Sequence, residues 1–151
     1  MVNAVCIVPE KSEVSSLWLK CCKTLYNLNF AADKGYESKN LIICEGYMDV
    51  IALDKFGFGY AAAPMGTALT EEQIALAWKI VPEPVLCFDG DAAGQKATLR
   101  SLEIVLPKGI APRVFALSRP DGTKIDPDNF VNEQGPEAFR NALTTADDWL
   151  N

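Results

Sequence analysis

The run Val85-Leu-Cys-Phe-Asp89-Gly-Asp91-Ala-Ala-Gly94-Gln-Lys96 is a short apolar stretch that stops at two acids flanking one glycine. Bounded by Pro84 and Gly90, Val85 to Phe88 reads as a buried strand of a parallel sheet, since strands covered on both faces are continuously apolar. The acids then stand at its carboxyl end, the edge where open α/β sheets bind ligands, and Gly90 lets the chain turn sharply enough for both carboxylates to face one volume. Two hard oxygen donors so placed suit Mg²⁺ or Mn²⁺. The same tripeptide also fits a solvated turn with an aspartate capping the next helix, so the rest of the chain must decide.

With 151 residues and 49% hydrophobic content, the chain is suited to one domain with a packed core. Its net charge of −6, from 14 basic and 20 acidic residues, argues against holding nucleic acid through a general positive field. Setting aside six candidate site acids, Glu45, Asp49, Asp89, Asp91, Asp126 and Asp128, leaves 14 residues of each sign, so the excess negative charge can reside in one site. Five cysteines without C-x-x-C spacing and no histidine make zinc a poor fit. Cys44 and Cys87 lie inside apolar runs and read as small buried hydrophobes. No basic-then-apolar leader and no run of roughly 20 apolar residues is present, which implies a soluble, cytoplasmic protein.

In chain order, Val2 to Val8 reads as a strand, Ser15 to Phe30 has no clean period, and Ala32 to Ser38 has the composition of a connector. Leu41 to Cys44 is a strand ending in Glu45-Gly46, the same strand, acid, glycine order as at Asp89. A helix from Asp49 to Phe56 follows, with Val50, Ile51 and Leu53 inward and Gly57 as its stop. Tyr60 to Ala63 is a second strand; Thr70 and Gln73 form a capping box for a helix from Glu71 to Ile80 that buries Ile74, Leu76 or Ala77, and Trp78. Ala92 to Leu106 is a helix with Ala97, Leu99, Leu102, Val105 and Leu106 near one face, closed by Pro107 and Gly109. Arg113 to Leu117 is the fourth strand. The polar loop Ser118 to Lys124 delivers Asp126-Pro-Asp128, then a helical turn from Asn129 to Glu133 and a last helix opened by Pro136. Strands alternating with helices imply an α/β fold with a mostly parallel four-stranded sheet flanked by helices.

Three strand ends then each carry acids: Glu45 with Asp49, Asp89 with Asp91, and Asp126 with Asp128. In parallel strands these ends point the same way and the acids converge, as a metal site requires.

Glu45-Gly-Tyr-Met-Asp49, Phe88-Asp89-Gly-Asp91-Ala-Ala-Gly94 and Asp126-Pro-Asp128-Asn-Phe130 resemble the three acidic motifs of the Toprim fold. Val50-Ile-Ala-Leu, Gly66-Thr-Ala-Leu-Thr70-Glu-Glu-Gln73 and Asp91-Ala-Ala-Gly94-Gln-Lys96-Ala are similar to the Toprim region of bacterial replicative DNA primase of the DnaG type, from about Lys23 to about Leu143. The resemblance implies a Toprim (Rossmann-like) domain over 39–145, a poorly matched lead-in over 1–38 and a tail over 146–151. It implies that Glu45 acts near the reacting phosphate as a general acid or base, and that Asp89, Asp91, Asp126 and Asp128 hold Mg²⁺ or Mn²⁺ with Asp49 in support. Gly46, Gly90 and Gly94 would keep the backbone thin for a phosphate, and Lys96 would reach it. The activity implied is nucleotidyl transfer making an RNA primer on a single-stranded DNA template from nucleoside triphosphates. The replicative helicase would be engaged through regions not visible in this sequence, and no basic ridge for template stands out. A small Toprim metal-dependent nuclease and a non-catalytic partner-binding module are the other readings. Tyr26, Tyr36, Tyr47 and Tyr60 are expected to pack rather than to act as topoisomerase-type nucleophiles.

Overall fold

The computed structural model describes residues 24–65, 68–89, 92–109, 112–145 and 147–148. Elements run β1 (Leu25–Tyr26), α1 (Leu28–Ser38), β2 (Ile42–Cys44), α2 (Tyr47–Lys55), β3 (Ala61–Pro64), α3 (Glu71–Ile80), β4 (Val85–Cys87), α4 (Ala92–Val105), a 3₁₀ turn (Leu106–Lys108), β5 (Arg113–Phe115), α5 (Pro127–Thr144) and β6 (Asp147–Asp148). The expected strand at Val2 to Val8 and the part of Ser15 to Phe30 before Thr24 lie outside the described residues.

The sheet order is β1-β3-β2-β4-β5-β6, in which β3, β2, β4 and β5 are mutually parallel. These are the four expected strands. The four-stranded count is corrected to six, because two-residue antiparallel strands pair at both edges: β1 with β3, and β6 with β5. Leu25 and Tyr26, inside the stretch that has no clean period, form the first of these.

Even three-residue strands divide their side chains cleanly between two cores, because successive side chains point to opposite faces. Ile42, Cys44, Ala61, Ala63, Val85, Cys87 and Phe115 face a core completed by Val50 and Leu53 of α2 and Phe130, Val131 and Phe139 of α5. Ile43, Ala62 and Leu86 face a second core completed by Ala31, Ile74, Ala77, Leu102 and Val105 from α1, α3 and α4. The helices change face where the strand order changes direction, as right-handed crossovers demand. Order therefore reverses between β2 and β4, and the crevice beyond their carboxyl ends is the switch point of the sheet.

Several helix expectations shift. The connector proposed at 32–38 is the second half of α1, where Ala31 and Gly35 are buried; its composition is polar only on the outer side. On α2, Ile51 is 47% exposed and Ala52 takes its inward place. On α4, Leu99 is exposed while Leu102 and Val105 are buried, and Leu106, in the 3₁₀ turn that follows, is exposed as well. The capping box of α3 forms as read, with Thr70 N–H donating to Gln73 Oε1 at 3.0 Å and Gln73 N–H to Thr70 Oγ1 at 3.3 Å. Gln73 does more than cap: it is fully buried, and its Nε2 donates to the Thr24 carbonyl at 2.8 Å. This fastens the start of α3 to the lead into β1. The last helical region begins earlier than expected, at Pro127, and breaks at Gly135 (φ 83°, ψ 168°), after which Pro136 opens a second segment. A positive φ of this kind is open to glycine at little cost, and proline suits the first turn that follows.

Candidate metal and catalytic site

Cys44 and Cys87 are in register across β2 and β4, so Glu45 and Phe88 follow side by side at the switch point and Asp89 lies one residue further. Glu45 is exposed, while Asp89 is partly covered. Both thiols are fully buried, and burial, with the charges of Asp49 and Asp89 below it in weight, pushes them up from their ordinary range. They remain neutral packing groups, as expected.

Asp49 occupies the first turn of α2 and is only 8% exposed. Its Oδ2 accepts the Gly46 N–H at 3.3 Å and its Oδ1 accepts the Asp128 N–H, also at 3.3 Å, across 79 residues of chain. One carboxylate thus ties the turn after β2 to the first turn of α5. Burial pushes its pKa up to about 6; donation by Asp128 and Gly46 works against that shift, and the charges of Asp89 and Asp126 add to it. Asp89 and Asp126 therefore both lie within electrostatic reach of Asp49.

The third acidic motif arrives by a different route from the one expected. Asp126 and Asp128 do not terminate a strand: β5 ends at Phe115, and a loop closed by a Ser118–Lys124 bridge intervenes. Asp126 is the N-cap of α5, where Oδ1 accepts the Asn129 N–H and Oδ2 its side-chain amide, each at 2.7 Å. Asp128 sits in the first turn and accepts from Asn132 Nδ2 at 2.7 Å. A helix N-terminus favours both charges.

Gly90 and Asp91 lie outside the described residues, as do Gly66 and Thr67. Gly94 is buried, and a Cβ there would collide with the Asp89 carbonyl oxygen; only glycine lets α4 start against that turn. The Gly46 N–H is engaged by Asp49. Lys96 is exposed on α4 and lines a cleft of about 440 Å³ together with Glu45 and Arg100, a residue the motifs did not single out. Its position one helical turn beyond Lys96 was the available signal. Of the tyrosines, Tyr26 stacks edge-on to Tyr47, Tyr60 to Phe58, and the Tyr36 hydroxyl donates to the Lys79 carbonyl.

Among the described residues no three acidic, cysteine or histidine side chains close into a metal cage, and none of the helices there is long and apolar enough to cross a membrane.

Residues 39–116 match the Toprim domain family. Over 121 residues the chain is 45% identical to the DNA primase of Pseudomonas aeruginosa, covering 80% of this chain and 18% of that protein. It spans about a fifth of the length of the curated primases it matches. A solved DNA primase domain from Pseudomonas aeruginosa superposes with a TM-score of 0.74 at 40% identity, covering 85% of this chain and 40% of that one. The DnaG primase catalytic domain bound to single-stranded DNA gives 0.73 at 37%, with 85% and 40% covered. With more than half of its length matched and its sheet shared with these solved domains, the chain belongs to the Toprim domain family.

Proposed function

We propose that this chain is the metal-binding catalytic part of a bacterial DNA primase, the module that carries out nucleotidyl transfer when an RNA primer is made on single-stranded DNA during replication in the cytoplasm. The Toprim domain proper would run over 39–145, with β1 and α1 as its lead-in. The observation that carries the reading is the Asp49 bridge: it locks the first and third acidic motifs together beside Asp89 at the switch point. Similarity to DNA primases along most of the chain supports it.

The donors fit a hard divalent cation. Mutually repelling carboxylates at one edge, one of them with its pKa raised to about 6, are relieved by Mg²⁺ or Mn²⁺. Mg²⁺ keeps several waters and takes one or two carboxylates plus substrate phosphates, a ligand set that these acids can supply. Asp89, Asp91, Asp126 and Asp128 would hold the ion, with Asp49 fixing the turns that carry them. Once bound, it would neutralise triphosphate charge and orient the attacking 3′-hydroxyl and the leaving pyrophosphate. Glu45, exposed at the switch point, would take or return a proton at its carboxylate. Lys96 would pair with a phosphate, and Gly46, Gly90 and Gly94 would leave room for it beside the backbone. Nucleoside triphosphates and single-stranded template are the substrates of this reading, and the replicative helicase is reached through other parts of the primase.

Calorimetric titration with Mn²⁺ tests it. Asp89→Ala should weaken binding at least tenfold, whereas Glu137→Ala, which removes a surface partner of Arg140, should leave it within about twofold. Equal losses at the two positions would remove the acidic edge as a metal site. In a reconstituted catalytic core Glu45→Gln should lower turnover more than metal affinity. Mn²⁺-dependent degradation of single-stranded DNA without primer synthesis would assign the same acids to a nuclease.

A further inference from the structure

The loop that delivers Asp126 carries a cation of its own. Residues 117–125 close on themselves: Ser118 bridges Lys124, Ile125 N–H donates to the Leu117 carbonyl at 3.3 Å, and Arg119 N–H donates to the Thr123 carbonyl at 2.7 Å. From this loop Arg119 reaches α5, where its Nε and Nη2 form a fork on the two Glu133 carboxylate oxygens at 2.8 Å and 2.7 Å. Among the described residues Glu133 is the ion-pair partner of Arg119. The two side chains are 36% and 41% exposed, and an ion pair so open to solvent contributes little to stability. Its effect lies in what it prevents.

Arg119 has three acids around it. Its pKa is raised first by the bond to Glu133, against some desolvation, with the charges of Glu133, Asp121 and Asp126 adding to the rise. Asp121 is taken by Thr123, which donates to it from N–H at 2.9 Å and from the hydroxyl at 2.6 Å. Asp126 is met by Asn129, a neutral partner that takes one hydrogen bond on each oxygen and leaves each with a further lone pair. A guanidinium is the side chain best shaped to take both oxygens of a carboxylate at once. Glu133, two turns further along α5, gives Arg119 that fork and leaves Asp126 open.

We infer that Glu133 is a positioning residue for the metal site: it holds the Arg119 guanidinium off Asp126 and so keeps that carboxylate free for a divalent cation. Without Glu133, Arg119 turns to the acids still in reach and competes with the metal for Asp126. The inference rests on reading Asp126 as a metal ligand, and it gives control over metal affinity to a surface pair outside the acidic motifs.

A double-mutant cycle on the intact chain, read by Mn²⁺ calorimetry at low and constant ionic strength, tests it. Glu133→Gln keeps the length of the side chain but offers Arg119 no charge, and should weaken Mn²⁺ binding about fivefold. In an Arg119→Gln background the same change should weaken it less than about twofold, because no cation is left to turn on Asp126. Arg119→Gln by itself should stay within about twofold of wild type. Raising salt should shrink the loss in the Glu133 variant, since the competition is between exposed charges. Urea unfolding in chelator should leave the midpoint of every variant at the wild-type value; a purely structural role would instead lower the midpoint and weaken Mn²⁺ binding alike in both backgrounds. Equal losses from Glu133→Gln in the two backgrounds, or no loss in either, overturn the role of Glu133 and leave the metal site standing, because wild type still binds. A wild type that takes up no Mn²⁺ removes the metal site and this role with it.

Discussion

On the face covered by α2 and α5 the acidic edge is closed in on itself: Asp49 accepts two backbone N–H groups, Asp126 caps a helix and Asp128 is met by Asn132. On the face covered by α3 and α4 the same edge opens into a cleft whose Lys96 and Arg100 stand exposed over an apolar floor. The first arrangement fixes positions, because carboxylates bonded to backbone from two helices cannot move independently. The second leaves charge available. A site that must hold an ion in place and admit a large anionic substrate needs both, and the topology assigns them to opposite faces of the sheet.

Breaking the closed side at its anchor should give the largest effect. Phe139 is fully buried and meets Phe58 at 4.8 Å, Phe115 at 5.7 Å and Phe130 at 6.1 Å between ring centroids. It fixes α5, and with it Asp126 and Asp128, to the sheet. Phe139→Ala should cost about 3–5 kcal/mol by urea unfolding. Leu99→Ala on the open side, 54% exposed on α4, should stay within about 0.5 kcal/mol. A Phe139 variant as stable as the Leu99 variant would mean that α5 is not part of the unit that positions the acids.

The second test sharpens the closed side electrostatically. Burial, helped by Asp89 and Asp126, raises Asp49 from 3.8 to about 6. A raised folded-state pKa stabilises fully below the unfolded value and that stability is lost as pH rises through about 6. In chelator, wild type should therefore lose about 2 kcal/mol relative to Asp49→Asn between about pH 4 and pH 7.5, since the other carboxylates titrate in both proteins. Asn also leaves one of the two N–H donors facing an amide, a pH-independent cost of about 1 kcal/mol. A wild-type minus variant difference that is flat with pH would show that Asp49 ionises freely and does not feel its neighbours.

The same contrast separates what was legible in the sequence from what was not. Strands β2 to β5 and the capped start of α3 follow from local apolar runs and the Thr70–Gln73 spacing, so they could be read directly. The acids after β2 and β4 could be placed because a strand end is a local property. The edge strands β1 and β6 are two residues each, too short to leave a period, and exist only because a partner strand offers unpaired backbone. Helix α1 was hidden because Gly35 and polar residues occupy it; Gly35 sits against Ile80, a contact between distant segments. The roles of Asp49 and Gln73 depend on Asp128 and Thr24, 79 and 49 residues away, which no spacing rule reaches. Arg100 was overlooked because a helix arginine is ordinarily solvated, and only the cleft beside it gives its position meaning.

The smallest effect concerns Asp126, where two influences oppose each other. The Asp126 charge helps to raise the pKa of Asp49, so by that influence alone removing it would stabilise the metal-free protein. The cap geometry works the other way, because Oδ1 holds the Asn129 N–H at 2.7 Å and the helix N-terminus favours an anion. Substitution separates them. Asp126→Ala removes cap and charge together and should cost about 1 kcal/mol in chelator. Asp126→Asn keeps a side-chain oxygen for the cap, asparagine being as good an N-cap as aspartate, and removes only the charge; it should lie within about 0.5 kcal/mol of wild type. Raising salt should narrow any stabilisation of the Asn variant, since repulsion between partly exposed carboxylates is screened while a hydrogen bond is not. Both variants should lose stabilisation by Mn²⁺, which separates the ligand role from the cap. If Asn costs as much as Ala in chelator, Asp126 is held by its charge on α5 and Asn129 rather than strained by its neighbours, and the crowding at this edge is confined to Asp49 and Asp89.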